Sequence, residues 1–147
     1  MADGYPRVLA DREVLVVRDG QEGRAPLRAW LDGYEGPWPR YRIELELRKD
    51  LFTATGPDLF EALTRLRRQV EPLGVAVAVQ GARRDVWPSG MARDMGGGQK
   101  AYVMRPGRNA ELSDLVPTLD DAPVDLLGTI AEQEASRDAW FASPKQS

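Results

Sequence analysis

The sequence predicts an α+β fold in a single domain, with an antiparallel or mixed sheet, a central β-β-α-β-β unit and helices packed on one face. Three stretches carry that expectation. Between Tyr41 and Arg48, apolar Tyr41, Ile43, Leu45 and Leu47 alternate with Arg42, Glu44, Glu46 and Arg48, the period of a half-buried strand. Leu59, Phe60, Leu63, Leu66 and Val70 then recur at helical spacing. Behind them residues 75–79 read VAVAV, an unbroken apolar run that suits a central strand covered on both faces. At 147 residues, 42% hydrophobic and 29% charged, the chain is long and apolar enough to bury one core.

Taken in chain order, residues 13–18 (EVLVVR) predict a strand closed by the turn pair Asp19-Gly20. Residues 26–32 (PLRAWLD) predict one or two helical turns with Pro26 in the first position, and GPWPR at 36–40 breaks the chain. The alternating strand at 41–48 is followed by Lys49-Asp50, a tight turn into LFTAT at 51–55, hence a hairpin. Thr55-Gly56-Pro57-Asp58 starts the main helix, with Asp58 three residues after Thr55 as a variant capping box, and Pro72 and Gly74 end it. Arg65, Arg67 and Arg68 in its last turns read as a solvated end that complements the helix dipole. KAYVMR at 100–105 resumes strand character. The core is therefore expected over about 13–105, followed by an irregular, acid-rich wrap at 106–128. Thr129 and Glu132 make a capping box for a C-terminal helix over 129–142 that presents Ile130, Ala131 and Phe141 to one side. Residues 143–147 are expected to fray.

Composition excludes whole classes of chemistry. The chain has no cysteine and no histidine, so disulfides, thiolate metal sites, cysteine nucleophiles, Ser-His-Asp triads and histidine switches are ruled out. No catalytic residue, metal site or cofactor is assigned. Twenty basic residues against 23 acidic ones give a net charge of −3, which weighs against nucleic acid because phosphate binding draws on a basic surplus. The N-terminal stretch MADGYPRVLADRE is too polar for a signal peptide, and no segment is apolar enough for a membrane span. A cytoplasmic protein is the expectation.

The stretch QGARRDVWPSGMARDMGGGQ, residues 80–99, is far longer than an ordinary connection between strands, which marks it as the working surface. Arg83, Arg84 and Arg93 offer planar donor forks to a carboxylate or phosphate. Gly96, Gly97 and Gly98 permit the positive φ of an anion-binding nest, Ser89 supplies a hydroxyl, and Trp87 a stacking face. Asp85 and Asp94 are the matching acids, and in an enzyme Lys100, Tyr102 or Asp85 would do any proton transfer. The competing reading makes the Arg–Asp pairs internal ties of an ordered loop and the glycines a means of turning the chain. The glycine run is neither a phosphate loop ending in Gly-Lys-Ser/Thr nor a dinucleotide fingerprint.

YRIELEL, PDLFEAL and above all GARRDVWPSGMARDMGGGQKAY resemble a family of small uncharacterised bacterial proteins, over about residues 41–105. That resemblance implies a bacterial source and a shared central β-β-α-β-β unit, and it transfers no catalytic residue.

Other candidates read as structure. Glu44 and Glu46 are a solvated strand face between Arg42 and Arg48. Asp114, Asp120, Asp121 and Asp125 lack the spacing of a calcium loop. Trp30, Trp38 and Trp140 are read as core or edge packing. The functional expectation is a non-enzymatic binding protein acting through residues 80–100 on a protein partner, an immunity-type inhibitor of a bacterial toxin being one version. The alternative is a small enzyme or sensor domain that takes a phosphorylated or nucleotide ligand at Arg83, Arg84, Arg93 and Gly96–Gly98.

Overall fold

Two long hairpins open the structure. The computed structural model describes residues 4–145. Strands β1 (Arg7–Arg18) and β2 (Gln21–Glu35) turn at Asp19 and Gly20, whose φ values of 52° and 76° give the mirror-image turn that matches strand twist. Strands β3 (Trp38–Leu47) and β4 (Asp50–Gly56) turn at Arg48 and Lys49, with Arg48 at φ 56°. Helix α1 (Leu59–Val70) lies across β3 and β4. Strand β5 (Val75–Val77) then runs antiparallel beside β1, giving the order β4-β3-β2-β1-β5. Leu27, Ile43, Leu45, Leu63 and Leu66 are each 0% exposed in the enclosed core. Each contributes about 2 kcal/mol by leaving water.

The remaining chain builds a second layer. Strands β6 (Val86–Trp87), β7 (Lys100–Val103) and β8 (Leu115–Pro117) pair antiparallel in that order, with α2 (Gly90–Asp94) between β6 and β7, and α3 (Ile130–Ala142) follows. Phe60 of α1 joins Val86, Ala101 and Val103 in a smaller apolar cluster, so one helix serves both cores. The result is a single α+β domain. Among the described residues no helix is long and apolar enough to cross a membrane.

Two sheet edges differ. On β4, the outward carbonyls of Thr53 and Thr55 accept hydrogen bonds from the side chains of Gln69 (2.8 Å) and Arg65 (2.9 Å) of α1. On the interior strand β2, pairing with β3 begins only at Leu27↔Leu45, so residues 21–26 are paired on the β1 side alone.

Several expectations are corrected. Residues 26–32 are strand, not helix: Ala25, Leu27, Ala29 and Leu31 face the core with period two, and Leu27, Trp30 and Leu31 only mimic helical spacing. Pro26 is tolerated because it sits just past Leu27↔Leu45, where β2–β3 pairing ends, so its missing N–H breaks no ladder bond. GPWPR is a hairpin turn running into β3, with Gly36 at φ 62°, and Trp38 is 70% exposed rather than packed. Strand β1 starts at Arg7, not Glu13. VAVAV supplies a three-residue edge strand, after which the chain turns away and Val79 bridges to Asp121. Thr55 belongs to β4, and the α1 cap is Asp58 itself, whose carboxylate accepts from Glu61 N–H at 2.8 Å. The wrap at 106–128 contains β8, and α3 turns Gln133 inward while Phe141 stays 64% exposed. Residues 146–147 of the expected frayed tail lie outside the described residues.

Arg67 differs most from its reading as a solvated helix end: it is 1% exposed. Its guanidinium donates to Glu71 (2.8 Å), the Gln133 side-chain oxygen (2.6 Å) and Gly128 O (2.7 Å). Glu71 also accepts from Ile130 N–H (3.1 Å), and Gln133 donates to Gly81 O (3.0 Å) and Val86 O (2.8 Å). Burial pulls the guanidinium below its ordinary pKa, and Glu71 opposes that pull. This buried clamp ties α1 to α3 and to the start of the 80–100 segment.

Candidate functional site

Residues 80–100 are an ordered segment, not an open loop. A 3-10 turn at Gln80–Ala82 leads into β6, then α2, then the glycines and β7. Ser89 caps α2, its hydroxyl oxygen accepting from Ala92 N–H at 3.0 Å.

The three arginines are engaged within the protein. Arg83 holds Asp85 by two parallel bonds of 2.8 Å and reaches the Gln80 side chain at 2.8 Å. Arg84 donates to the backbone oxygen of Asp125 at 2.7 Å. Arg93 pairs with Asp58 at 3.2 Å and stands over the rings of Phe60 and Trp87, 5.2 and 5.5 Å from their centroids. Trp87 meets Phe60 edge to face at 5.4 Å, with the Arg137 guanidinium 4.6 Å from its ring. Arg93 and Trp87 stitch the second layer onto α1. The carboxylate at the centre of the stitching, Asp58, has a side chain only 7% exposed and was not among the sequence candidates.

The glycines serve close approach. Gly97 and Gly98 have φ of 63° and 67°. A Cβ on Gly97 would sit 2.0 Å from the Tyr41 hydroxyl, and one on Gly98 would sit 2.6 Å from Asp58 Oδ1 and 2.8 Å from Phe60 N. Gly97 O accepts from Leu59 N–H at 2.7 Å, so the run docks on the first turn of α1 and takes a donor that an anion would otherwise use. Gly96 closes back on Ala92, its N–H donating to Ala92 O at 3.1 Å. Burial raises the Tyr41 pKa beneath the run, with Tyr34 adding to it.

What faces outward is apolar. Met91 and Met95, one turn apart on and just past α2, are 70% and 81% exposed. They border an open cleft of ≈560 Å³ with Ser89, Lys100, Tyr102 and Leu115. Lys100 is exposed, Tyr102 is half-buried beside Trp87 across β6–β7, and Asp94 lies at the surface with no side-chain partner among the described residues. The structure therefore gathers Ser89, Gly96, Lys100 and Tyr102 at one cleft and turns Arg83, Asp85, Trp87 and Arg93 inward. Met91 and Met95 were not among the sequence candidates. The available signal was their i, i+4 spacing after the cap signal Ser89-Gly90, which puts both on one exposed helical face. Among the described residues no group of three acidic side chains is placed to hold a metal ion. Comparison with family models and with curated proteins returns no match for this chain.

Proposed function

We propose that the protein is a non-enzymatic binding module that docks a protein partner on the outer face of residues 89–102. The observation that carries this reading is the pair of exposed methionines beside an apolar-walled cleft. Methionine is flexible and polarizable, so it adapts to a partner's contours, and contiguous exposed apolar surface marks docking sites. Engagement of Arg83, Arg84 and Arg93 inside the protein leaves an anionic ligand without the donor set it would need. An immunity-type inhibitor is one form of this reading, in which Met91 and Met95 cover a toxin's working surface; the resemblance of residues 41–105 to small bacterial proteins fits that setting. The test is capture of partners from the native host by wild type, by a Met91→Asp/Met95→Asp variant and by Arg84→Ala as control. A stoichiometric partner held by wild type and by Arg84→Ala but lost by the methionine variant is the expected result. No partner, or one held equally by all three, defeats the proposal.

A further inference from the structure

The tip of the first hairpin carries charges that do nothing within the protein. The side chains of Arg18, Asp19, Glu22, Arg24, Glu46 and Arg48 make no hydrogen bond or ion pair among the described residues. All six line one open cleft of ≈550 Å³, which shares no residue with the methionine cleft. Three are cationic and three anionic. A ligand of a single sign would be repelled by half of them, whereas a surface of alternating sign suits a partner with the same alternation.

The cleft lies where β2–β3 pairing ends: beyond Leu27↔Leu45, residues 21–25 stand on one side and Glu46, Leu47 and Arg48 on the other. In a hairpin with a two-residue turn, Arg18 and Gln21 exchange hydrogen bonds, and the pattern alternates from there. Gln21, Gly23 and Ala25 thus aim their backbone groups at β1. Consistent with that parity, Leu15 O on the far side of β1 accepts from Ala78 N–H at 2.9 Å. Glu22 and Arg24 therefore aim both N–H and C=O into the cleft, where pairing with β3 has ended. An unpaired strand edge of this kind is a template for another strand.

We infer that this edge pairs with the same edge of a second copy of the chain, antiparallel about Gly23. In that register Glu22 of each copy stands opposite Arg24 of the other, so both residues exchange backbone hydrogen bonds and their side chains form cross-strand ion pairs. Gly23 meets Gly23 at the two-fold axis, in the non-hydrogen-bonded position where strands come closest. A Cβ at Gly23 would have no atom within 4 Å, so the approach is open. The second copy's strand enters the cleft, whose far wall carries Glu46 and Arg48. Self-complementarity of this sort is the hallmark of an isologous interface.

Sedimentation equilibrium from micromolar to millimolar concentration tests it. Wild type is expected to show a monomer–dimer equilibrium. Arg24→Glu and Glu22→Arg, each of which sets like charges opposite one another, are each expected to weaken dimerisation about tenfold or more. The double swap Glu22→Arg/Arg24→Glu restores it, and an equimolar mixture of the two single variants forms a heterodimer. Thermal unfolding of dilute protein confirms that every variant folds, both side chains being exposed. A wild type that stays monomeric throughout, or a dimer indifferent to these swaps, overturns the inference. Protection of the Glu22 and Arg24 amides only on adding a different protein would also overturn it.

Discussion

Gly98 and Arg67 hold the molecule together through opposite means, one by lacking a side chain and the other by burying a charged one. Gly98→Ala forces a positive φ on a residue with a Cβ and drives that Cβ into Asp58 and the Phe60 amide. The expected loss is about 2–4 kcal/mol, read from urea unfolding. Arg67→Ala leaves Glu71, Gln133 and the Gly128 carbonyl without their partner and is expected to cost about 3–5 kcal/mol. Arg67→Lys does not rescue it, because an ammonium cannot serve as the planar fork that meets three acceptors at once. Wild-type stability in the lysine variant would show that charge alone suffices. Arg67 could have been found in the sequence, since it falls four residues after Leu63 and three before Val70, on the buried stripe. What no local pattern contains is Gln133, whose approach depends on how α3 returns across the fold.

At the level of elements, legibility followed local signal. The alternation at 41–48, the apolar stripe of α1 and the Thr129–Glu132 box each specify their element within a few residues, and all are present. Residues 26–32 misled because Leu27, Trp30 and Leu31 satisfy both periods, and only pairing with β1 and β3 selects the strand. The 80–99 segment was legible as ordered but not as a strand followed by a helix, since β6 is two residues long and draws its stability from β7. Its short helix depends on its cap. Ser89→Ala is expected to cost about 1 kcal/mol, seen as faster amide exchange at residues 92–98 with little change in global unfolding. Unchanged exchange there would mean that the glycine docking alone holds α2.

Across the whole molecule, the absence of histidine and cysteine gives stability a broad plateau in pH. On the acid side, the Glu111 backbone N–H and Arg105 hold Asp114 below its ordinary value, and the Thr129 backbone N–H does the same for Glu132. Their contribution is full above the ordinary carboxylate range, about 4, and is lost as pH falls through it toward the folded-state values. On the alkaline side, Tyr41 is raised by burial, so its contribution is full below about 10 and is lost as pH climbs through the folded-state value. Urea midpoints measured against pH are expected to stay flat between those limits. A steep slope near neutrality would require a titrating group that these side chains do not provide.

The covered flank of β4 decides how far any sheet can grow. With the Thr53 and Thr55 carbonyls already taken by Gln69 and Arg65, the β4 edge has lost two of the acceptors that an incoming strand would need. The other edge of this sheet, β5, is only three residues long. A flank with its acceptors taken and an edge this short are both poor templates, so the sheet resists growth into fibres.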